Sequence, residues 1–523
     1  MNRISVCTIP AVIMVICAAC SLGRADVQFS PSPVWTAGTG YIPTGIGCAD
    51  IDTDGWIDLV IANGCDAAFV PNHVYFNSGG TLPSSPDWVS QDQFPSDNVA
   101  IGDLDNDGDY DLVVAQLGYS PAGCPPLPQL IYYNDNGLSQ LPGWQSQPAN
   151  SFSCAIGDPD KDGDLDIAFA QGDYATSQPQ KTVMYENIDG LFDTIPAWET
   201  DSLYFGVEAV FCDIDCDDDL DLVLGARTGG IAVFYNDNGT LETTPSWQTL
   251  DIIGGRQFDF GDINEDGYPD LAVAGMAQGF FLFRNYGGTF ETTPSWSCYA
   301  YSEPSCVAWA DADDDGDLDL AAGGWFAPVG IFQNTDGELS DTFMWKYTGN
   351  GFKQQVAWAD FDQDGIIEDS DTFVGNDVTQ LYYISNAPMH SLISITINGI
   401  ALEPGDYCYD ITDGWFSLAA PPPDGDILCI TYEYSSDLDL VSTGTSVMLF
   451  ENQVTGILEQ NNNTTPQQNT YTQVITGPLI LPDHRSYIVY DVSGRRTVPG
   501  MLSSGTYFVE YEGRITSKVI KIQ

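Results

Sequence analysis

Along most of the chain, short runs of β-branched, apolar and aromatic residues alternate with polar stretches rich in Gly, Pro, Asn and Asp, the pattern of strands joined by turns. Pairs of such runs flank an acidic phrase. Val307-Ala308-Trp309-Ala310 precedes the phrase that begins at Asp311, and Leu320-Ala321-Ala322-Gly323 follows it. The phrase recurs from Asp50, Asp103, Asp158, Asp213, Asp262, Asp311 and Asp360, at intervals of 49 to 55 residues. Self-similarity at that period signals a repeat architecture.

Two further markers keep the same step. An aromatic or apolar pair ending in or near Asn falls at Asn77, Asn134, Asn187, Asn236, Asn285, Asn334 and Asn452. A Trp closes a stretch containing Gly and Pro at Trp88, Trp144, Trp198, Trp247, Trp296 and Trp345, with Trp35 standing alone near the N-terminus. The order of strand, acidic loop, strand, Asn-ended strand and Trp stretch supplies four strands per unit. The last unit stops at Asn452 without its Trp stretch, whereas Val27 to Trp35 is a Trp stretch without a unit. Joined, the two ends complete one unit, and such closure removes open sheet edges. The pattern therefore predicts an all-β fold, a seven-bladed β-propeller over residues 26–452, with the Trp residues packing between blades.

The seventh unit is interrupted. Asp360-Phe361-Asp362-Gln363-Asp364-Gly365 is followed by Ile366-Ile367-Glu368, and the expected continuation appears only at Asp437 to Val441. The insertion, about 366–436, alternates apolar and polar residues around Asn398-Gly399 and Pro421-Pro422-Pro423, which predicts a small β module on that blade.

Within each acidic phrase, oxygen-bearing side chains fall at positions 1, 3, 5 and 9, with Gly at position 6. This is the spacing of the first nine residues of an EF-hand loop, where Gly allows a sharp turn and hard oxygen ligands suit Ca²⁺. The candidate ligands are Asp50, Asp52, Asp54 and Asp58 in the first loop, and Asp103, Asp105, Asp107 and Asp111 in the second. They continue as Asp158, Asp160, Asp162 and Asp166 in the third, and Asp213, Asp215, Asp217 and Asp221 in the fourth. Asp262, Asn264, Asp266 and Asp270 form the fifth set, Asp311, Asp313, Asp315 and Asp319 the sixth, and Asp360, Asp362 and Asp364 the seventh. Either Glu368 or Asp439 fills position 9 of the seventh loop. The loops are unequal. Asp218 replaces Gly in the fourth, at a cost on the order of 1 kcal/mol if that position is left-handed. Asn264 in the fifth makes it the weaker binder. Carboxylates about 4 Å apart repel by roughly 1 to 4 kcal/mol, so compact loops call for a neutralising ion, up to seven Ca²⁺ in all.

Charge points the same way. The formal net charge is −59, from 74 acidic residues against 15 Lys plus Arg, which argues against nucleic acid and anionic membranes as partners and for cations. Residues 1–25 carry Arg3, an apolar run from Ile4 to Cys20 and a small-residue exit near Ala25, the layout of an export signal peptide. No later segment is long and apolar enough to span a bilayer as a helix. Three of the thirteen Cys lie in that leader, leaving an even number in an oxidising compartment, where Cys298 with Cys306 and Cys408 with Cys429 are candidate local bridges.

The Asp-x-Asp-x-Asp-Gly-x-x-Asp phrases resemble the FG-GAP or VCBS repeats of propellers such as integrin alpha subunits. The resemblance covers Val27 to Asn452 and implies a Ca²⁺ in each loop. After a polar linker at 453–472, residues 473–523 resemble the C-terminal sorting domain of type IX secretion cargo, through Tyr490-Asp491-Val492-Ser493-Gly494, Gly505-Thr506-Tyr507-Phe508-Val509 and Lys518 to Lys521. That likeness implies a small β-sandwich-like tail, contact with the secretion machinery and a place outside the cell or on the bacterial outer surface.

Function follows as a secreted or surface recognition or adhesion module whose ligand is an unidentified extracellular glycan or protein. The alternative is a carbohydrate-active enzyme, a polysaccharide lyase or glycosidase. The three histidines, His73, His390 and His484, fall in no recognisable catalytic motif, so no catalytic residue is assigned. Trp325 and Trp415 lie outside the repeating Trp series and are the aromatic residues best placed to contact a ligand, with a core role as the competing expectation.

Overall fold

The computed structural model describes residues 27–453 apart from short loop stretches (38–41, 65–68, 118–124, 174–177, 228–229, 250–254, 276–278, 302, 326 and 350). Beyond them it describes the backbone of the C-terminal strands. The expected signal peptide lies outside the described residues. Among the described residues there is no helix, and none long and apolar enough to cross a membrane.

The repeats form four-stranded antiparallel sheets, an arrangement consistent with a β-propeller. The first begins with Pro43–Ala49, whose antiparallel partner Asp58–Asn63 follows the acidic loop, then His73–Tyr75 and Trp88–Val89. Five further sheets repeat this plan from first strands Ser96–Gly102, Ser151–Gly157, Gly206–Cys212, Gly255–Gly261 and Pro304–Ala310. A seventh combines Lys353–Ala359, Asp439–Gly444 and Val447–Phe450 with the N-terminal strand Trp35–Ala37, in register Trp35 to Leu449. First strands of successive sheets are neighbours, and Lys353–Ala359 returns beside Pro43–Ala49. The second strands are buried on both faces, as in Asp58–Asn63 and Asp319–Gly324, so their apolar runs are nearly continuous.

The marker tryptophans link each sheet to the next. Indole N–H groups donate to the main chain of the following unit: Trp88 to Leu138 O, Trp144 to Phe192 O, Trp198 to Leu241 O and Trp247 to Phe290 O, all at 3.0–3.2 Å. Trp345 donates to Phe29 O and Trp35 to Pro83 O, both at 3.1 Å, so the chain ends take part in the same series. Trp296 departs from it, its buried Nε1 having no partner.

The insertion forms two small sheets. One contains Ile366–Val374, Ile427–Ser435, Met389–Ile397 and Ile400–Ala401, and the other Leu381–Tyr383, Trp415–Leu418 and Tyr407–Tyr409. Its apolar residues, including Phe416, Leu428 and Tyr432, share a core with Ile51 and Leu112 of the ring, so it is packed against the acidic-loop face. Trp415, 1 % exposed, packs in a neighbouring core with Leu381, Cys408 and Leu165 and is a core residue, not a ligand contact.

The expected disulfides are absent. Cys298 and Cys306 are free, as are Cys408 and Cys429. Cys298 joins the core between the fifth and sixth sheets while Cys306 faces the next core along, so the two thiols point into different layers. Cys408 lies in the three-stranded sheet of the insertion and Cys429 in the four-stranded one.

The C-terminal unit, from Thr455 onward, is described by itself. Its strands form one five-stranded sheet in the order Tyr471–Ile475, Arg514–Lys521, Gly505–Tyr511, Tyr487–Asp491, Arg496–Thr497, with the first pair parallel. The described residues hold no second sheet that would complete a sandwich.

Removing residues 27–37 strips the seventh sheet of an edge strand and Trp345 of its acceptor. The truncated chain is expected to melt at lower temperature and to self-associate through the bared Val447–Phe450 edge, measured by calorimetry and size-exclusion chromatography.

Candidate metal centres

Each acidic loop is a turn built by its own carboxylates. In the first six loops the position 1 Asp accepts from the N–H groups of positions 5 and 6 at 2.7–3.1 Å. The position 5 carboxylate then accepts from the N–H of position 7, for example Asp107 from Asp109 at 3.0 Å. Position 4 is left-handed in every loop, with φ between 55° and 60° from Thr53 to Gln363. Position 6 is left-handed in the first six, and Asp218 adopts φ 71° there, the strained backbone expected of the fourth loop.

The position 9 carboxylates are the buried anchors. Asp58, Asp111, Asp270 and Asp319 are fully buried. One oxygen accepts from the N–H of position 2 in loops one, two, four, six and seven, at 2.9–3.3 Å. The other accepts from the backbone N–H of the marker Asn in all seven loops, at 2.7–3.0 Å. In the seventh loop that carboxylate is Asp439, which takes Phe361 N–H and Asn452 N–H, so position 9 there is supplied from beyond the insertion and not by Glu368.

The marker Asn also reaches backward. Its side-chain amide donates to the position 2 carbonyl of the preceding loop: Asn134 to Ile51, Asn187 to Leu104, Asn236 to Pro159, Asn285 to Ile214, Asn334 to Ile263, Asn452 to Ala312 and Asn77 to Phe361, at 2.6–3.2 Å. The turns after Asn77, Asn187, Asn236, Asn285 and Asn334 pack on that same loop. Gly288, at φ +87°, sits where a Cβ would come within 2.4 Å of Asp215 Cβ. Every loop is thus held by two adjacent sheets. The sequence displayed the Asn period, but not this pairing, because the partners are carbonyl groups that no side chain announces.

Carboxylate oxygens of positions 1, 3 and 9 converge within 4.8 Å of one another in Asp50/Asp52/Asp58, Asp103/Asp105/Asp111 and Asp213/Asp215/Asp221, and those of positions 1, 3 and 5 in Asp158/Asp160/Asp162. The fourth loop gathers its ligands despite Asp218. In the second and fourth loops one buried oxygen of the position 3 side chain, Asp105 Oδ1 or Asp215 Oδ1, has no hydrogen-bond partner, an arrangement costly in low dielectric unless a cation accepts it. An all-oxygen donor set of this kind fits Ca²⁺, held by positions 1, 3, 5 and 9. Bound there, the ion would neutralise the carboxylates and cross-link the loop.

The remaining loops are individual. In the fifth, Asn264 Nδ2 donates to Asp270 Oδ2 at 3.2 Å and Arg284 Nη1 lies 3.8 Å from the same oxygen, so a resident cation already offsets that carboxylate. In the sixth, Gln333 donates to Asp313. In the seventh, Asp360 accepts from Gln363 N–H at 2.6 Å and Ser435 Oγ at 2.8 Å, and Gly365 is not left-handed, a different turn imposed by the insertion.

The insertion rests on these loops. Asp213 N–H donates to Tyr383 Oη at 3.3 Å, Thr379 Oγ1 to Asp218 at 2.9 Å, Gln380 to Lys161 O at 3.0 Å, and Cys408 Sγ lies 3.6 Å from Asp158 Oδ2. Two of the histidines have structural surroundings: burial lowers His73 to about 4, keeping it neutral, and His390 Nε2 meets Gln363 Nε2 at 3.2 Å.

With this geometry in hand, comparison with known proteins is informative at the level of the repeat. The model of the FG-GAP-like repeat family matches residues 50–114, 213–273 and 262–322, and each match begins at position 1 of an acidic loop. The chain therefore carries FG-GAP-like repeats. No curated protein matches it. Among solved structures it is similar to BBS1N in its complex with ARL6DN, soaked with lead, at TM-score 0.41 and 12% identity over 77% of this chain and 96% of that one. It is also similar to the computationally designed Ika8 protein, at TM-score 0.39 and 10% identity over 80% and 99%.

Asn187→Ala strips Leu104 O and Leu165 O of their amide donor while leaving the loop carboxylates in place. Unfolding in urea is expected to show a loss of about 2 kcal/mol or more, because buried acceptors are left unpaired.

Burial raises the position 9 carboxyls, Asp58 to about 7, Asp111 and Asp221 to about 8 and Asp319 to about 9. An acid whose folded pKa exceeds its unfolded value near 3.8 favours the fold in its protonated form. Without metal, this contribution is therefore fully present below about 4 and is lost progressively as pH rises from there through about 7 to 9. Chelated protein should show a melting temperature that falls across that window while calcium-loaded protein changes less; equal slopes would contradict the assignment.

Proposed function

We propose that the chain is a seven-bladed, calcium-stapled β-propeller that works outside the cell as a recognition or adhesion module. The observation that carries this reading is the sevenfold recurrence of one loop design, an acidic turn anchored by a buried ninth carboxylate and clamped by the Asn of its own sheet onto the loop before it. FG-GAP-like repeats are modules often used extracellularly in adhesion and recognition, which agrees with the strong negative charge and the demand for cations. In this reading residues 1–25 direct export, and residues 473–523 address the chain to a type IX secretion system for release or surface display.

Calcium occupies the loops with complete oxygen sets and stabilises the ring, while the ligand is met elsewhere. The loops are poor ligand contacts themselves, since their position 9 carboxylates are buried and the insertion covers several of them.

Elemental analysis of the mature protein should find about five to seven calcium ions per chain. Chelation should lower the melting temperature by about 10 °C or more, since several sites each contribute through binding linkage. A chain with no bound calcium and an unchanged melt would overturn the metal reading.

A further inference from the structure

The residue just before the marker Asn varies in charge from unit to unit. Phe76, Tyr133 and Tyr235 are neutral aromatics, Glu186 and Glu451 are acidic, and Arg284 in the fifth unit is a cation. Two of these side chains make the same reach. Tyr235 Oη donates to Gly288 O at 2.9 Å, and Arg284 Nη2 donates to Gly337 O. Gly288 and Gly337 belong to the turns that pack on the fourth and fifth loops, against Asp215 and Asn264. One position of the repeat therefore sets a neutral hydroxyl beside the fourth loop and a guanidinium beside the fifth.

That guanidinium has two acidic neighbours, and they are not equivalent. Arg284 Nη2 lies 3.8 Å from Glu338 Oε1, but the Glu338 side chain is 87% exposed, so water screens the pair. Arg284 Nη1 lies 3.8 Å from Asp270 Oδ2, and Asp270 is wholly buried, so this is the pairing that matters to the loop. Both oxygens of Asp270 are already engaged by the chain. Asn285 N–H donates to Oδ1 at 2.7 Å and Asn264 Nδ2 to Oδ2 at 3.2 Å.

The fourth loop shows the contrast. Asp221 accepts from the main-chain N–H groups of Ile214 and Asn236, neither of which brings charge. Lys161 pairs with Asp219 at position 7, where the side chain lies outside the ligand positions, so the fourth loop keeps four ligand carboxylates. The fifth has three carboxylates, an amide and the guanidinium beside them. Its Asp262 is only half-buried and its Asp266 exposed, so water reaches both, whereas Asp213 of the fourth loop is buried. A divalent ion on Asp270 Oδ2 would share that oxygen with Asn264 Nδ2 and be repelled by the guanidinium. Asn264 Oδ1 is buried without a partner, as Asp105 Oδ1 and Asp215 Oδ1 are. It belongs, however, to a neutral amide whose nitrogen faces Asp270, so it leaves no charge for an ion to neutralise.

We infer that the fifth loop holds no calcium and that Arg284 takes the place of the ion there, offsetting the buried Asp270 and tying the loop to the turn of the next sheet. The fifth unit in this way departs from the calcium-bound state of its neighbours although its sequence matches the same repeat model, and its loop keeps its cation when calcium is withdrawn. The inference rests on the calcium reading of the other loops.

The test counts calcium per full mature chain by elemental analysis at a fixed free calcium concentration. The chains compared are the parent, Asn264→Asp, and Asn264→Asp combined with Arg284→Tyr, which installs the residue of the second and fourth units. The parent is expected to bind at most about six ions, Asn264→Asp the same number, and the double variant one more. In chelator, Arg284→Tyr alone should melt below the parent by about 2 °C or more, because it leaves a buried carboxylate uncompensated, while Arg284→Lys, which keeps the charge, should lose less. An ion for every loop in the parent, an ion gained by Asn264→Asp alone, no ion gained by the double variant, or a chelated Arg284→Tyr that melts with the parent would each overturn the inference. No calcium in any chain would remove the metal reading and this inference with it, whereas an ion for every loop in the parent would remove the inference alone.

Discussion

The buried carboxylate at the ninth position of each acidic loop is the constraint on which the ring depends. It is buried in every unit, and in most units it brings together three separate pieces of chain: the second residue of its own loop, the second strand that it opens, and the Asn that ends the third strand. Because that Asn extends its amide to the loop before, the anchoring of one sheet is also the docking of the next. The tryptophans run the same connection in the opposite sense, every sheet but the fifth reaching forward to its successor. Hydrophobic layers between sheets fill the space, but apolar packing alone does not set angle or spacing, and these paired polar contacts do.

The period of Asp, Asn and Trp was legible because all three residue types are chosen for hydrogen-bond or ligand geometry that few others can supply. Strand positions, the interrupted seventh unit and the pairing of the two chain ends followed from it. What was illegible shares a cause. The partners of Asn and Trp are main-chain carbonyls, so nothing recurs in the side chains to mark them. Cys298 and Cys306 looked like a bridge because sequence proximity says nothing about which side of a sheet a thiol faces. Asp439 could not be separated from Glu368 until the insertion was seen to form its own sheets, which brings the chain back to resume the loop where it left off.

The insertion makes the ring unequal on its two faces. Tyr110 and Tyr409 meet through their hydroxyls at 3.0 Å, and the contacts to Asp158, Lys161, Asp213 and Asp218 extend the cover over neighbouring loops. The fifth loop, whose ninth carboxylate already has Arg284 for company, and the seventh, remade by the insertion, show that the repeats have diverged in how they manage the same negative charge. The third and fourth loops share a resident cation in the Lys161–Asp219 pair, and the fifth has its own in Arg284.

The strand Trp35–Ala37 finds its partner only at Val447–Phe450, at the far end of the ring sequence. A polypeptide that emerges N-terminus first, from a ribosome or through a membrane pore, can pair the strands of its early sheets as they appear, since those partners lie close along the chain. Its first strand must wait until nearly everything else has been delivered. Closure is then the last event of assembly, and a chain cut short anywhere before residue 447 stays open, displaying an apolar rim that quality-control proteases and chaperones can recognise. Closure of the ring is in this way timed by the delivery of its last strands.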